Sequence, residues 1–258
     1  MRFGKGLVSR SPVVLLLFVL SLFFCTGSFA AGGHNAHWGY EGEEGPEHWA
    51  GISEEYKACS SGKSQSPVDI KDAAGADLKA ITFNYKSSRI NILNNGHTVQ
   101  VNYDEGSSIE VDGVKYDLLQ FHFHGPSEHT VKGEFSDMEM HLVHRDKDGN
   151  LAVVGVMMEV GTENEALSGV WANLPEEKSD AMTVKGAVEA EKLLPKDRSY
   201  YTYSGSLTTP PCTEGVKWLV LKNPVQLSGE QIEAFAGIIE ENNRPVQPLH
   251  GRKVTGKN

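Results

Sequence analysis

The chain has 258 residues, with 24 Lys and Arg against 34 Asp and Glu, a formal net charge of −10. That length suits one large domain with its own core. A negative surface excludes a protein built chiefly to hold nucleic acid or anionic membrane, and the modest clustering of the acids makes most of them ordinary solvated surface.

The first thirty residues differ from the rest. Arg2, Lys5 and Arg10 give a positive start without an acidic residue, an apolar run spans Val13 to Phe24, and small residues follow at Ser28, Ala30 and Ala31. This pattern predicts a secretory signal peptide over residues 1–30, cut after Ala30. The apolar run is shorter than the roughly 20 residues that a membrane span needs. An uncleaved anchor and lipidation of Cys25 are the alternatives, and bulky Phe24 argues against the second. Cleavage leaves 21 basic residues against 34 acidic ones, about −13. It also leaves two cysteines, Cys59 and Cys212. In an oxidising compartment such a pair reads as one disulfide, worth about 4 kcal/mol in the chain-entropy account. Two free thiols or two zinc thiolates are the other readings; neither cysteine has a C-x-x-C partner.

A Gly/His-rich stretch and a Trp/Tyr-containing segment (His37 to Trp49) come next. No low-complexity linker and no internal repeat follow, so residues 31–258 read as one domain. The body is mainly β with a few helices, an α+β chain. Thr98–Tyr103 and Ser108–Val111 alternate, Asp112-Gly113 signals a hairpin turn, and Val114–His124 continues as a long strand. Asp137–His144 is another strand, Asp146–Asn150 a turn, Leu151–Val160 an apolar run and Val216–Lys222 a buried strand. Two helices are predicted. Thr162-x-x-Glu165 has the capping-box pattern ahead of Ala166, Leu167, Val170, Trp171 and Leu174. Ser228-x-x-Gln231 has it ahead of Ile232, Phe235, Ile238 and Ile239.

Strand periodicity yields a candidate metal site. Residues two apart share a face. Gln120, His122 and His124 therefore share one face, and Glu139, His141 and Val143 share a face of the next strand. If the strands are neighbours, three imidazoles converge. Three histidines leave a position open, the pattern of catalytic rather than structural zinc, and imidazole suits that ion. Gln120 and Glu139 are placed to accept the ligands' other N–H groups. His129 and His144 read first as structural groups; His34 and His37 lie near the mature terminus, and His48 and His250 show no partner. His122-x-His124-x-x-x-Glu128 also matches the metal motif of cupins, with Glu128 as a ligand to iron or manganese. The glycine expected seven residues after that glutamate is Phe135.

Gln-Phe-His-Phe-His at 120–124, Ser-Glu-His-Thr at 127–130 and Glu-Met-His-Leu-Val-His at 139–144 resemble the α-class carbonic anhydrase signature. So do the segments at 37–40, 45–49, 65–70, 94–97, 206–212 and 243–249, in the family's order across nearly the whole mature chain. The resemblance implies a central, mostly antiparallel, twisted sheet with zinc at the base of a conical cleft. It implies reversible hydration of carbon dioxide to bicarbonate and a proton by attack of zinc-bound hydroxide. It makes His122, His124 and His141 the ligands and His97 the proton shuttle. Thr208, bonded to Glu128, would orient the nucleophile. Thr209 would lie beside substrate, Val143, Val153, Leu207 and Trp218 would line the carbon dioxide pocket, and Tyr40 and Asn95 would order the connecting waters. The resemblance pairs Cys59 with Cys212, makes Ser66-Pro67 and Pro210-Pro211 cis, and points to a periplasmic or secreted enzyme with a homodimer left open. The segment Gly125-Pro126 is shorter than in animal relatives and resembles compact bacterial members.

Overall fold

The structure, a computed structural model, describes residues 36–256 together with Met1, Arg2 and Gly4. The cleavage site, Cys25 and His34 fall outside the described residues. The chain divides into the units Met1–Asn35 and Ala36–Asn258, and everything below concerns the second.

Alternation and turn chemistry shape the strands. Ser108–Val111, Val114–His124 and Leu151–Val160 occupy the spans read from the sequence as an alternating strand, a long strand and an apolar run. Val99–Asn102, Met138–Arg145 and Glu214–Leu221 differ from prediction by one or two residues at their ends. Asp112 and Gly113 both take positive φ, 54° and 81°, which is what a tight hairpin turn of matching twist demands.

Among the described residues, these strands join a 13-stranded mixed, twisted sheet in which antiparallel pairings outnumber parallel ones. Across its middle run Val99–Asn102, Val114–His124, Met138–Arg145, Leu151–Val160, Glu214–Leu221 and Tyr200–Ser206. The Leu151–Val160 strand pairs in parallel with both Glu214–Leu221 and Val225–Leu227. Each face carries its own core. Phe121, Phe123, Met140, Leu142, Val154, Val156 and Leu219 belong to the larger cluster. Val153, Met157, Trp218 and Val220 belong to a second one, with Val143 and Leu207 packed against it. Strand alternation therefore places the even-numbered histidines 122 and 124, and His141, on the face of the second cluster.

The helices are short. Ser228 caps Gly229–Ala236 with the reciprocal Ser228–Gln231 bonds that the sequence predicts. The helix expected after Thr162 is present only as a short segment and lacks its cap. A 3-10 turn at Glu165–Leu167 leads into a single α turn at Ser168–Trp171, and no side chain caps either. Thr162 is engaged elsewhere: its N–H and hydroxyl both donate to Gln226 Oε1. The capping pattern was met by a tertiary acceptor rather than by its own turn. Among the described residues, no helix is long and apolar enough to cross a membrane.

Cys59 and Cys212 form a disulfide across 153 residues, which removes the free-thiol and zinc-thiolate readings. Ser66-Pro67 and Pro210-Pro211 are cis, and so is Gly125-Pro126, which the sequence did not flag.

Candidate metal centre

Register brings the histidines together. His141 lies directly opposite His122, and Glu139 opposite His124, on the antiparallel pair Val114–His124 and Met138–Arg145. The ring centroids stand 4.5 to 5.3 Å apart, and one donor atom from each ring lies within 4.8 Å of the others.

Each ring is pinned through its other nitrogen. His122 Nδ1 meets Gln120 Oε1 at 2.8 Å. His124 Nδ1 donates to the Asn242 carbonyl at 2.8 Å. His141 Nε2 meets Glu139 Oε1 at 2.9 Å. These partners fix the tautomers, leaving His122 Nε2, His124 Nε2 and His141 Nδ1 as the converging donors. His124 Nε2 is fully buried without a hydrogen-bond partner. A buried ring nitrogen left unpaired is costly unless something else fills it, so this donor set fits a metal ion that takes imidazole. Burial, with the neighbouring histidines, holds His122 well below its ordinary pKa, and burial likewise lowers His124. Both rings are thus in the neutral form that ligation requires.

Glu139 is the hub behind the triad. Its Oε1 also accepts from His129 Nδ1 at 2.8 Å, and its Oε2 accepts from the backbone N–H groups of Glu128 and His129. Burial pushes this carboxyl up, but the His129 and His141 rings pull it, on balance, well below the usual carboxylate range. The space for it comes from Gly155, which lies opposite His141 on the adjoining strand. A Cβ there would stand 2.8 Å from Glu139 Oε1.

The other expected residues gather around this centre. Glu128 is fully buried; its Oε1 accepts from Arg244 N–H at 2.9 Å. Its Oε2 lies 3.6 Å from His124 Nε2 and 3.8 Å from His141 Nδ1 without a hydrogen-bond partner. The expected bond from Thr208 to Glu128 is therefore not formed, although Thr208 is buried. Val143, Val153 and Trp218 lie side by side across three strands, on the row next to the ligands. Leu207 packs into the same cluster, and the Trp218 ring stands 4.8 Å from His141. Thr209 is half-buried, its carbonyl accepting from Cys212 N–H.

His97 sits apart from the triad, stacked on Trp38 with ring centroids 3.8 Å apart. It is half-buried, and burial, Lys178 and His37 lower its pKa in that order. Asn95 Oδ1 accepts from the His97 and Thr98 N–H groups, so it shapes the turn that carries His97. Tyr40 packs edge-on against Trp38 and Trp49, and burial keeps its hydroxyl protonated. His129, bonded to Glu139 and to the Tyr203 hydroxyl, and His144, bonded to Tyr85, are structural as read from the sequence.

Two residues of the site were not singled out. Asn242 orients His124 through its carbonyl, and its side chain binds the carbonyls of His97 and Phe123 and the N–H of Gly125. Arg244 holds Glu128. Their only signal was the Asn-Asn-Arg-Pro run, since their partners lie more than a hundred residues away in sequence.

An open three-histidine site on one face of a broad β sheet is a donor set that could hold a catalytic metal ion. The family description "Eukaryotic-type carbonic anhydrase" matches residues 44–258. Carbonic anhydrases from Neisseria gonorrhoeae and Klebsiella pneumoniae are 47% and 46% identical to the chain. They cover 98% and 85% of it, and 98% and 90% of their own lengths. The solved α-carbonic anhydrase of Thermovibrio ammonificans, in complex with the inhibitor sulfanilamide, is 51% identical. It aligns over 85% of this chain and 99% of its own with a TM-score of 0.84. The chain belongs to the eukaryotic-type, or α, carbonic anhydrase family, and is an enzyme of the lyase class. The mixed open sheet and the family match overturn the cupin reading, which needs a jelly-roll barrel.

Proposed function

We propose that this enzyme hydrates carbon dioxide reversibly to bicarbonate and a proton, using one zinc ion held by His122, His124 and His141. The observation that carries the reading is the convergence of three ring nitrogens whose opposite edges are each fixed by Gln120, Asn242 and Glu139. Bound there, zinc supplies Lewis-acid activation of a water as nucleophile near neutral pH, for which carbonic anhydrase is the established general example.

The chain's own residues do the rest. Val143, Val153, Leu207 and Trp218 offer an apolar wall against which carbon dioxide rests beside the open side of the triad, with Thr209 next to it. Glu128 Oε2 has unused accepting capacity. A side-chain rotation of Thr208 toward it would commit that hydroxyl's proton to Glu128 and leave its oxygen to accept from the attacking water. That is a positioning effect, in which one orientation is held ready for attack. His97 takes the product proton toward solvent. Its lowered pKa lets it release that proton readily at neutral pH. Trp38 supports its ring, and Tyr40 and Asn95 order the waters between. The signal-like pattern read over 1–30 and the oxidised Cys59–Cys212 pair support a periplasmic or secreted enzyme.

The test is carbon dioxide hydration measured with stoichiometric zinc, after chelation, and after zinc is restored. Activity should disappear and return, and an inactive zinc-loaded protein would overturn the proposal. His97→Ala should slow turnover in weak buffer and recover with added imidazole. Equal rates for variant and parent in both conditions would remove the shuttle role.

A further inference from the structure

The disulfide is part of a closed ring. From Cys212 the ring continues through its carbonyl, which accepts from Gln65 Nε2 at 3.0 Å. Gln65 Oε1 then accepts from Arg244 Nη1 at 2.8 Å. Arg244 Nη2 donates to the Cys59 carbonyl at 2.7 Å, and the S–S bond closes the circuit. Arg244 Nη1 also reaches the Ser66 carbonyl at 2.8 Å, and the guanidinium lies over the Trp49 ring. All four members are buried, Arg244 to 1% exposure and Gln65 to 2%.

This ring touches the site at two places. Arg244 N–H donates to Glu128 Oε1 at 2.9 Å. Cys212 N–H donates to the Thr209 carbonyl at 2.8 Å. Glu128 and Thr208 sit on segments far apart in the chain and share no hydrogen bond of their own. Sheet contacts hold each segment, with Ser206 bonded to Ser66 and Glu128 N–H to Glu139, and one further route between the two runs from Arg244 to Cys212. The bonds from Arg244 to Gln65 and from Gln65 to Cys212 are a direct join, and the disulfide with the Cys59 carbonyl is a second, parallel one.

We propose that Gln65 and Arg244 are positioning residues for carbon dioxide hydration, closing with the Cys59–Cys212 bridge a buried ring that fixes the Thr208–Thr209 loop against Glu128. The proposal rests on the hydratase reading and on the paired roles given there to Glu128 and Thr208. An ordinary structural contact would alter stability alone. A ring that sets the distance between two reacting-site groups alters turnover while leaving zinc content intact.

The test uses Gln65→Leu, which keeps the bulk and removes both links of the ring together with the Gln65 Nε2 bond to Glu214 Oε1, in the full-length mature protein. With zinc bound, kcat for hydration should fall about tenfold while KM stays within about twofold, as expected for lost positioning. Zinc content should stay stoichiometric. Opening the disulfide arm by Cys59→Ser with Cys212→Ser should lower kcat too, and adding Gln65→Leu to that pair should have less than its full separate effect. Amide hydrogen exchange gives a reading independent of activity. In the zinc-free protein, Gln65→Leu should speed exchange at both the Arg244 and Cys212 amides. Unchanged kcat with a lower melting temperature, fully multiplicative losses, or faster exchange at Cys212 alone would each overturn the ring. If Gln65→Leu does not fold, Arg244→Lys, which keeps the charge and loses the forked donors, carries the same measurements. Failure of the parent enzyme to hydrate carbon dioxide would instead sink the hydratase reading, and the exchange data would still judge the ring.

Discussion

Two histidines three residues apart on one strand, His141 and His144, have opposite fates. Both are buried. His144 has each nitrogen matched, to the Tyr85 hydroxyl at 2.8 Å and to the Ala152 carbonyl at 3.3 Å, and burial drives its pKa down to about 3. His141 spends one nitrogen on Glu139 and turns the other toward His122 and His124. The strand supplies both positions, and a register shift between Val143 and His144 falls between them. What separates His144 from His141, the proposed ligand, is unspent bonding capacity. Burial and residue type are the same on both sides.

The sharpest way to break this contrast is to remove a ligand. His124→Ala should abolish stoichiometric zinc in metal analysis and reduce hydration to the rate of buffer alone. A variant that keeps one zinc per chain would show that the triad is not the site. Glu139→Gln comes next. It keeps the shape but places an amide where four N–H groups now converge, so zinc affinity should fall about 10- to 100-fold in chelator competition, the usual consequence of losing such a support. An unaltered affinity would mean that Glu139 only packs. The smallest effect belongs to His144→Phe, which should leave zinc content and kcat unchanged. It strands the Tyr85 hydroxyl, and unfolding experiments should show a loss of about 1–3 kcal/mol. The pH dependence supplies the sign. His144 binds its proton at an ordinary 6.5 when unfolded and at about 3 when folded, so the unfolded state takes up more protons between those values. Stability present above 6.5 is lost as pH falls toward 3, and His144→Phe should flatten that fall. An equally steep slope in the variant would show that His144 is not its source.

Much of this contrast was legible from strand periodicity. Alternation placed His122, His124 and His141 on shared faces and predicted the span 108–111, while the strand at 114–124 and the apolar run at 151–160 were read beside it. Gln120 and Glu139 were readable as supports because they lie two residues from a ligand on the same face. The identity of the chemistry came from the family-like motifs, since periodicity alone left a cupin open. The rest depended on contacts between distant segments. Asn242 behind His124 and Arg244 behind Glu128 are invisible to local pattern. The shortened helix, confined to 165–171, has the same cause, because Gln226 takes the Thr162 N–H that a capping box would give to Glu165. A capping box states what a turn could do in isolation, and at Ser228 nothing outbid it.

Gly155 carries a consequence for how firmly the ion is kept. The carboxylate behind His141 fits only because the facing strand presents a hydrogen where other residues present a methyl group. Grip on the proposed zinc would therefore be written partly in a strand that donates no ligand, as a vacancy one carbon wide. Metal retention can drift with a single aliphatic substitution while every liganding and hydrogen-bonding residue stays in place.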